Sequence, residues 1–134
     1  MAKELILVND GKLCFGDYSL AEKSKLDGFS FGGNLYKVKT YKDLTKLERD
    51  GMFVYESEPG SDVSAFEQKK DGISFEVAGE QDAMITVGLK EDTNYEVFEN
   101  GNSVGTMKTN LGGKLSLSVS LSPETKTKIE IKEA

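Results

Sequence analysis

Histidine and tryptophan are absent from this 134-residue chain, and arginine and cysteine occur once each, as Arg49 and Cys14. Without histidine there is no ordinary general base near neutral pH. There is also no Ser-His or Cys-His nucleophile pair, and the commonest zinc, copper and non-haem iron ligand is missing. Cys14 therefore lacks an activating partner and has no second cysteine to bond. Lying between Leu13 and Phe15, it reads as a small packing residue, and the fold does not depend on an oxidising compartment. Arg49, flanked by Glu48 and Asp50, reads as a surface ion pair at a turn and not as a clamp for carboxylate or phosphate.

Other chemical signatures are missing too. Gly112-Gly113-Lys114 departs from a phosphate loop, since Lys108 stands where its first glycine belongs and Leu115 follows the lysine. The Asp-Gly pairs at 10, 27, 50 and 71 lack the spaced oxygen ligands of a calcium loop and read as turns. Carboxylates are plentiful, but pairs such as Glu91-Asp92 and Glu80 with Asp82 fall in expected loops with no apolar setting to raise a pKa. No catalytic residue, metal or cofactor is expected.

Seventeen basic residues against 23 acidic ones give a net charge of −6, which disfavours a nucleic-acid partner. The lysines are interspersed with acids along the chain, a pattern that predicts a solvated surface and no membrane-docking patch. Near the N-terminus the apolar run is Leu5 to Val8, too short for a signal-peptide core or a membrane span, so no membrane insertion and a cytoplasmic location are expected.

What the chain does have is alternation. Ile73, Phe75 and Val77, then Ile85, Val87 and Leu89, then Tyr95 and Val97, predict strands with one buried face each. Leu115, Leu117, Val119 and Leu121 between serines, and Thr127, Ile129 and Ile131 between charges, predict two more. Asn100-Gly101 marks a tight hairpin, and strand starts near 73, 84, 95, 103, 114 and 127 suit a small antiparallel sandwich or barrel. The first half is expected to add hairpins around Asn9-Asp10-Gly11 and Gly32-Gly33-Asn34. Tyr41, Leu44 and Leu47 recur at helical spacing with Gly51 placed to stop a helix, but Asp50-Gly51 also reads as a hairpin turn, which is favoured because β-forming Met52 to Tyr55 needs a partner strand. Ser19-Leu20-Ala21-Glu22 fits a capping box and predicts one or two helical turns, and Ser61 to Gly72 reads as a loop or short edge strand. The fold expected is all-β, with a hairpin-rich region over 1–70 and a sandwich module of immunoglobulin-like or fibronectin-like type over 71–134. The two regions either stand apart or share one core.

Tyr36 and Tyr95 share the phase of Val38 and Val97 and belong to the expected core. Tyr55 and Phe98 fall out of phase with their apolar neighbours and are the candidate exposed aromatics for binding.

The segment from Tyr95 to Leu121, with its Asn-Gly turn and serine-backed strand, resembles the closing repeat of β-sandwich modules appended to bacterial carbohydrate-active enzymes. The chain as a whole, including Phe15-Gly-Asp-Tyr-Ser-Leu-Ala21 and Thr45-Lys-Leu-Glu-Arg-Asp-Gly-Met-Phe-Val-Tyr-Glu-Ser57, is similar to short proteins of anaerobic Gram-positive bacteria labelled endosialidase. That label implies an arginine triad, and with one arginine present no triad residue carries over. Three functions follow in order of expectation. The first is a non-catalytic structural or protein-interaction module, whose partner is another protein or a second copy. The second is a carbohydrate-binding module. The third is a glycoside hydrolase using two carboxylates.

Overall fold

The computed structural model describes residues 4–134, which include the whole Leu5 to Val8 run. Among the described residues every regular element is a strand. The first six are β1 (Ile6–Asn9), β2 (Lys12–Phe15), β3 (Ser24–Phe31), β4 (Asn34–Tyr41), β5 (Leu44–Arg49) and β6 (Met52–Glu58). After them come β7 (Asp62–Lys69), β8 (Gly72–Ala78), β9 (Ala83–Gly88), β10 (Asn94–Glu99), β11 (Asn102–Lys108), β12 (Lys114–Val119) and β13 (Thr127–Glu133). They form two antiparallel sheets, one of seven strands in the order β1-β2-β7-β8-β13-β10-β11 and one of six in the order β12-β9-β6-β5-β4-β3. The sheets pack as a β-sandwich because each strand buries alternate residues: Ile129 and Ile131 from one layer and Ile85 and Val87 from the other are wholly enclosed.

Turn chemistry sets the hairpins. Asp10-Gly11, Asp50-Gly51 and Asn100-Gly101 all adopt positive φ, the geometry that matches a two-residue turn to the twist of its strands. The turn at 70 and 71 joins β7 to β8, two paired strands, and one buried core runs through both halves of the chain. The C-terminal strands divide between the layers, with β8 paired to β7 and β9 paired to β6.

Two expectations fail for local reasons. Residues 19–22 form turns and bends and no helix, because the Ser19 hydroxyl and N–H both donate to Asp17 Oδ1, at 2.5 and 3.1 Å, and tie the segment back on itself. Ser61 to Gly72 is no loop or edge: β7 spans eight of those residues inside the seven-stranded sheet. A bulge between Ser64 and Glu67, with Ala65 at φ 50°, turns both Val63 and Phe66 inward. Their spacing of three hides the strand from a period-two reading.

The crossing from β6 to β7 is held by a buried polar network. Thr40 and Thr45 share a hydroxyl bond of 2.8 Å. Thr45 Oγ1 donates to the Ser61 carbonyl at 2.8 Å and accepts the Ser61 N–H at 3.0 Å. Ser57 and Tyr55 complete it through the Ser61 hydroxyl, at 2.6 and 2.8 Å. Among the described residues no buried side-chain polar atom lacks a partner, as a low-dielectric interior requires.

Candidate interaction surface

Of the two aromatics singled out for binding, Tyr55 lies in the core and Phe98 on an outer sheet face. Tyr55 has 0% exposure, which corrects the expectation that it faces solvent. A bulge opposite Leu47 and Glu48 inserts Val54 as an extra residue, so Val54 and Tyr55 both point inward and the alternation reverses at that point. The Tyr55 ring meets Phe15 and Phe75 edge-on at centroid distances of 5.3 and 5.5 Å. Phe98 is half-buried on the outer face of the seven-stranded sheet, with Lys132 Nζ 5.7 Å from its ring centre. Tyr36 and Tyr95 lie in the core. Cys14 is half-buried on β2 opposite Leu7. Arg49 is no ion pair with its neighbours: its guanidinium donates to Gln68 Oε1 at 3.0 Å and lies against the Tyr36 hydroxyl. Among the described residues no three of His, Cys, Asp and Glu gather where they could hold a metal ion, and no helix is long and apolar enough to cross a membrane.

The surface that stands apart is built by charge register. Residues opposite each other on adjacent strands have Cβ atoms about 5 Å apart, close enough that opposite charges stabilise and like charges destabilise a pair. The seven-stranded sheet follows this rule, placing Glu76 across from Lys128 and Glu96 across from Lys132. The six-stranded sheet follows it at Lys37 with Glu48 and at Lys46 with Glu56. Between them it breaks the rule twice in succession, for Lys25 stands opposite Lys39 and Lys39 opposite Lys46.

Three lysines thus form a row across β3, β4 and β5 on the outer face, with Lys37 beside it. Tyr36, Val38 and Thr40 on β4 are buried, which sends Leu35, Lys37, Lys39 and Tyr41 outward. Lys23 joins from just before β3, its Nζ 5.6 Å from the centre of the Tyr41 ring. Lys39 titrates below the ordinary lysine range, first because partial burial strips solvent from its ammonium and then because Lys23, Lys25, Lys37 and Lys46 all repel a further positive charge. Among the described residues none of Lys25, Lys37, Lys39 and Lys46 has a carboxylate within 4.0 Å. Glu48 and Glu56 border the cluster, and Lys37, Lys39, Lys46 and Glu48 line a shallow depression of about 150 Å³.

The signal for this surface was present in the chain. The two-residue turn between Tyr41 and Leu44 fixes the β4–β5 register and with it Lys39 against Lys46. A linear count of charges averages the cluster away. Comparison of the chain with protein-family models, with curated proteins and with solved structures finds no match.

Proposed function

We propose that this protein is a non-catalytic interaction module that docks an acidic surface of a partner protein on the outer face of β3, β4 and β5. The observation that carries this reading is the row Lys25-Lys39-Lys46, an arrangement that costs folding free energy and is relieved when anionic groups lie over it. The bordering Glu48 and Glu56 favour a folded protein surface over a uniformly charged polymer. They repel a continuous polyanion and accept lysine or arginine from a partner of mixed charge, which fixes register. A glutamate-rich peptide with two interspersed lysines, carrying a fluorophore, serves as the probe for the lysine row and its acidic border. Anisotropy should report binding that weakens by about tenfold or more in Lys39→Glu/Lys46→Glu and falls as salt rises from about 0.05 to 0.3 M. Equal binding by the wild type and the reversed variant overturns the proposal.

A second copy of the chain is a further partner, favoured by one sheet edge. β1 is four residues long, and β3 and β11 are interrupted by bulges, with Gly28 and Gly105 at positive φ. β12 pairs with β9 over six residues without interruption. The Leu89 N–H donates to the Gly113 carbonyl at 2.7 Å, so along β12 the main-chain groups of Ser116 and Ser118 face away from β9. Sedimentation across the micromolar range tests this reading: a dimer lost on Ser116→Pro/Ser118→Pro supports edge pairing, and a strict monomer removes it.

A further inference from the structure

The two layers differ by one strand, seven against six, and the mismatch falls at β11. On β10, Tyr95 and Val97 are buried, and on β12 Leu115, Leu117 and Val119 are buried, so each layer is covered as far as those strands. β11 is not covered. Six of its seven residues are exposed and Met107 is half-buried, although the register with β10 turns Gly105 and Met107 to the inner face and Thr106 and Lys108 to the outer one. Among the described residues, then, β11 projects past β12 with no strand of the other layer beneath it. Val104 on the strand and Leu111 at the corner beyond it are 52% and 80% exposed, so this side also carries apolar surface.

Next to the overhang runs the open edge of β12. The two strands belong to one bent ribbon, in which β9 pairs with β12 and β10 with β11. Around the bend the Leu89 N–H donates to the Gly113 carbonyl at 2.7 Å, the Asp92 N–H to the Asn110 carbonyl at 3.1 Å and the Thr109 N–H to the Thr93 carbonyl at 3.0 Å. β11 runs into this corner and β12 runs out of it, so the two are antiparallel. Main-chain groups alternate in direction along a strand. Because Thr109 faces Thr93, the main-chain groups of Thr106 and Lys108 face away from β10, as those of Ser116 and Ser118 face away from β9. In both strands the residues with free main-chain groups carry outward side chains, and Met107, Leu115 and Leu117 between them point inward. The β11 bulge lies beyond Gly105, so residues 105–108 beside the corner are in regular register.

We infer that the protein forms a two-fold dimer in which β11 of each copy pairs antiparallel with β12 of the other. An axis along the strands, midway between the layers, lays one overhang over the other, and each copy supplies the strand that its partner's six-stranded layer lacks. Residues opposed in an antiparallel ladder must share a face and present main-chain groups to each other. Both conditions are met: outer Thr106 and Lys108 meet outer Ser116 and Ser118, and inner Met107 joins Leu115 and Leu117. The contact is closed, since it uses both β11 edges and both β12 edges. Pairing β12 with β12 instead needs an axis perpendicular to the sheets, which drives each overhang into the partner's seven-stranded layer. The inference rests on the second-copy reading above and names the edge that meets β12.

The test is sedimentation of the full chain across the micromolar range. Thr106→Pro removes an N–H that faces away from β10, so the β10–β11 ladder keeps its bonds. The expected result is a wild-type dimer that weakens by about tenfold or more in Thr106→Pro and in Ser116→Pro/Ser118→Pro. A mixture of these two variants should dimerise more tightly than either alone, because the mixed pair keeps one intact ladder, and an unfolded variant could not do this. Amide hydrogen exchange checks the wild type without substitution: Thr106, Lys108, Ser116 and Ser118 should gain protection together as concentration rises. A dimer untouched by Thr106→Pro, or variants that fail to complement, overturns the inference, and the second-copy reading still stands where Ser116→Pro/Ser118→Pro breaks the dimer. A strict monomer removes both.

Discussion

Tyr55 places a hydroxyl in the middle of an apolar layer, where it shares a 2.8 Å bond with Ser61. Burial drives its pKa far above the ordinary tyrosine value, and burial also raises Tyr36, against the lowering effect of Arg49. Both groups are raised in the folded state, so the stability they contribute is present below the unfolded tyrosine pKa of about 10 and is lost as pH climbs from there through the folded values. Chemical denaturation at rising pH should show that loss, and Tyr55→Phe should reduce its steepness. The same substitution removes one satisfied hydrogen bond while Ser57 and Ser61 remain bonded to each other, so it should cost about 1 kcal/mol at neutral pH. A neutral effect would mean that the network does not hold the crossover. At Gly16, φ is +99°, and a Cβ there would lie inside the contact distance of the Ser61 carbonyl oxygen. Gly33 has φ +83° and open space around it. Gly16→Ala should therefore destabilise by more than about 2 kcal/mol, and Gly33→Ala by about 1 kcal/mol, in the same denaturation assay.

Where the period-two pattern runs unbroken, the elements were legible in the chain. The starts expected near 73, 84, 95, 103, 114 and 127 match β8 through β13 at 72, 83, 94, 102, 114 and 127. The pattern fails at bulges, which insert a residue without any change of composition. Val54 in β6 and Ala65 in β7 each reverse the phase, and so Tyr55 reads as exposed and β7 as a loop. The capping-box reading at 19–22 fails because Asp17 captures Ser19 before a helix can begin. Registers are a level beyond elements, and the lysine row exists only at that level. Its energetic signature is measurable without any ligand: Lys39→Gln removes two like-charge oppositions and should raise stability by a few tenths of a kcal/mol after solvent screening. Added salt should stabilise the wild type more than this variant. A destabilised Lys39→Gln would contradict the assigned register.

Across the whole molecule, charge is sorted by face. The seven-stranded sheet sets acids opposite lysines along its outer surface, while the six-stranded sheet gathers lysines at the β3–β5 end. A chain with net charge −6 therefore presents a positive region, and the remainder is more acidic than the total implies. That distribution suits a module that recognises charge by position, with a rigid sandwich holding each lysine in register. The most direct test is a footprint on the lysines themselves: reductive methylation with carbon-13 and a titration with the glutamate-rich, lysine-containing peptide, followed by NMR. The account predicts that resonances of Lys25, Lys37, Lys39 and Lys46 move together and saturate together, while Lys128 and Lys132 on the opposite face stay fixed. Shifts spread evenly over all lysines, or none at the β3–β5 row, would contradict it.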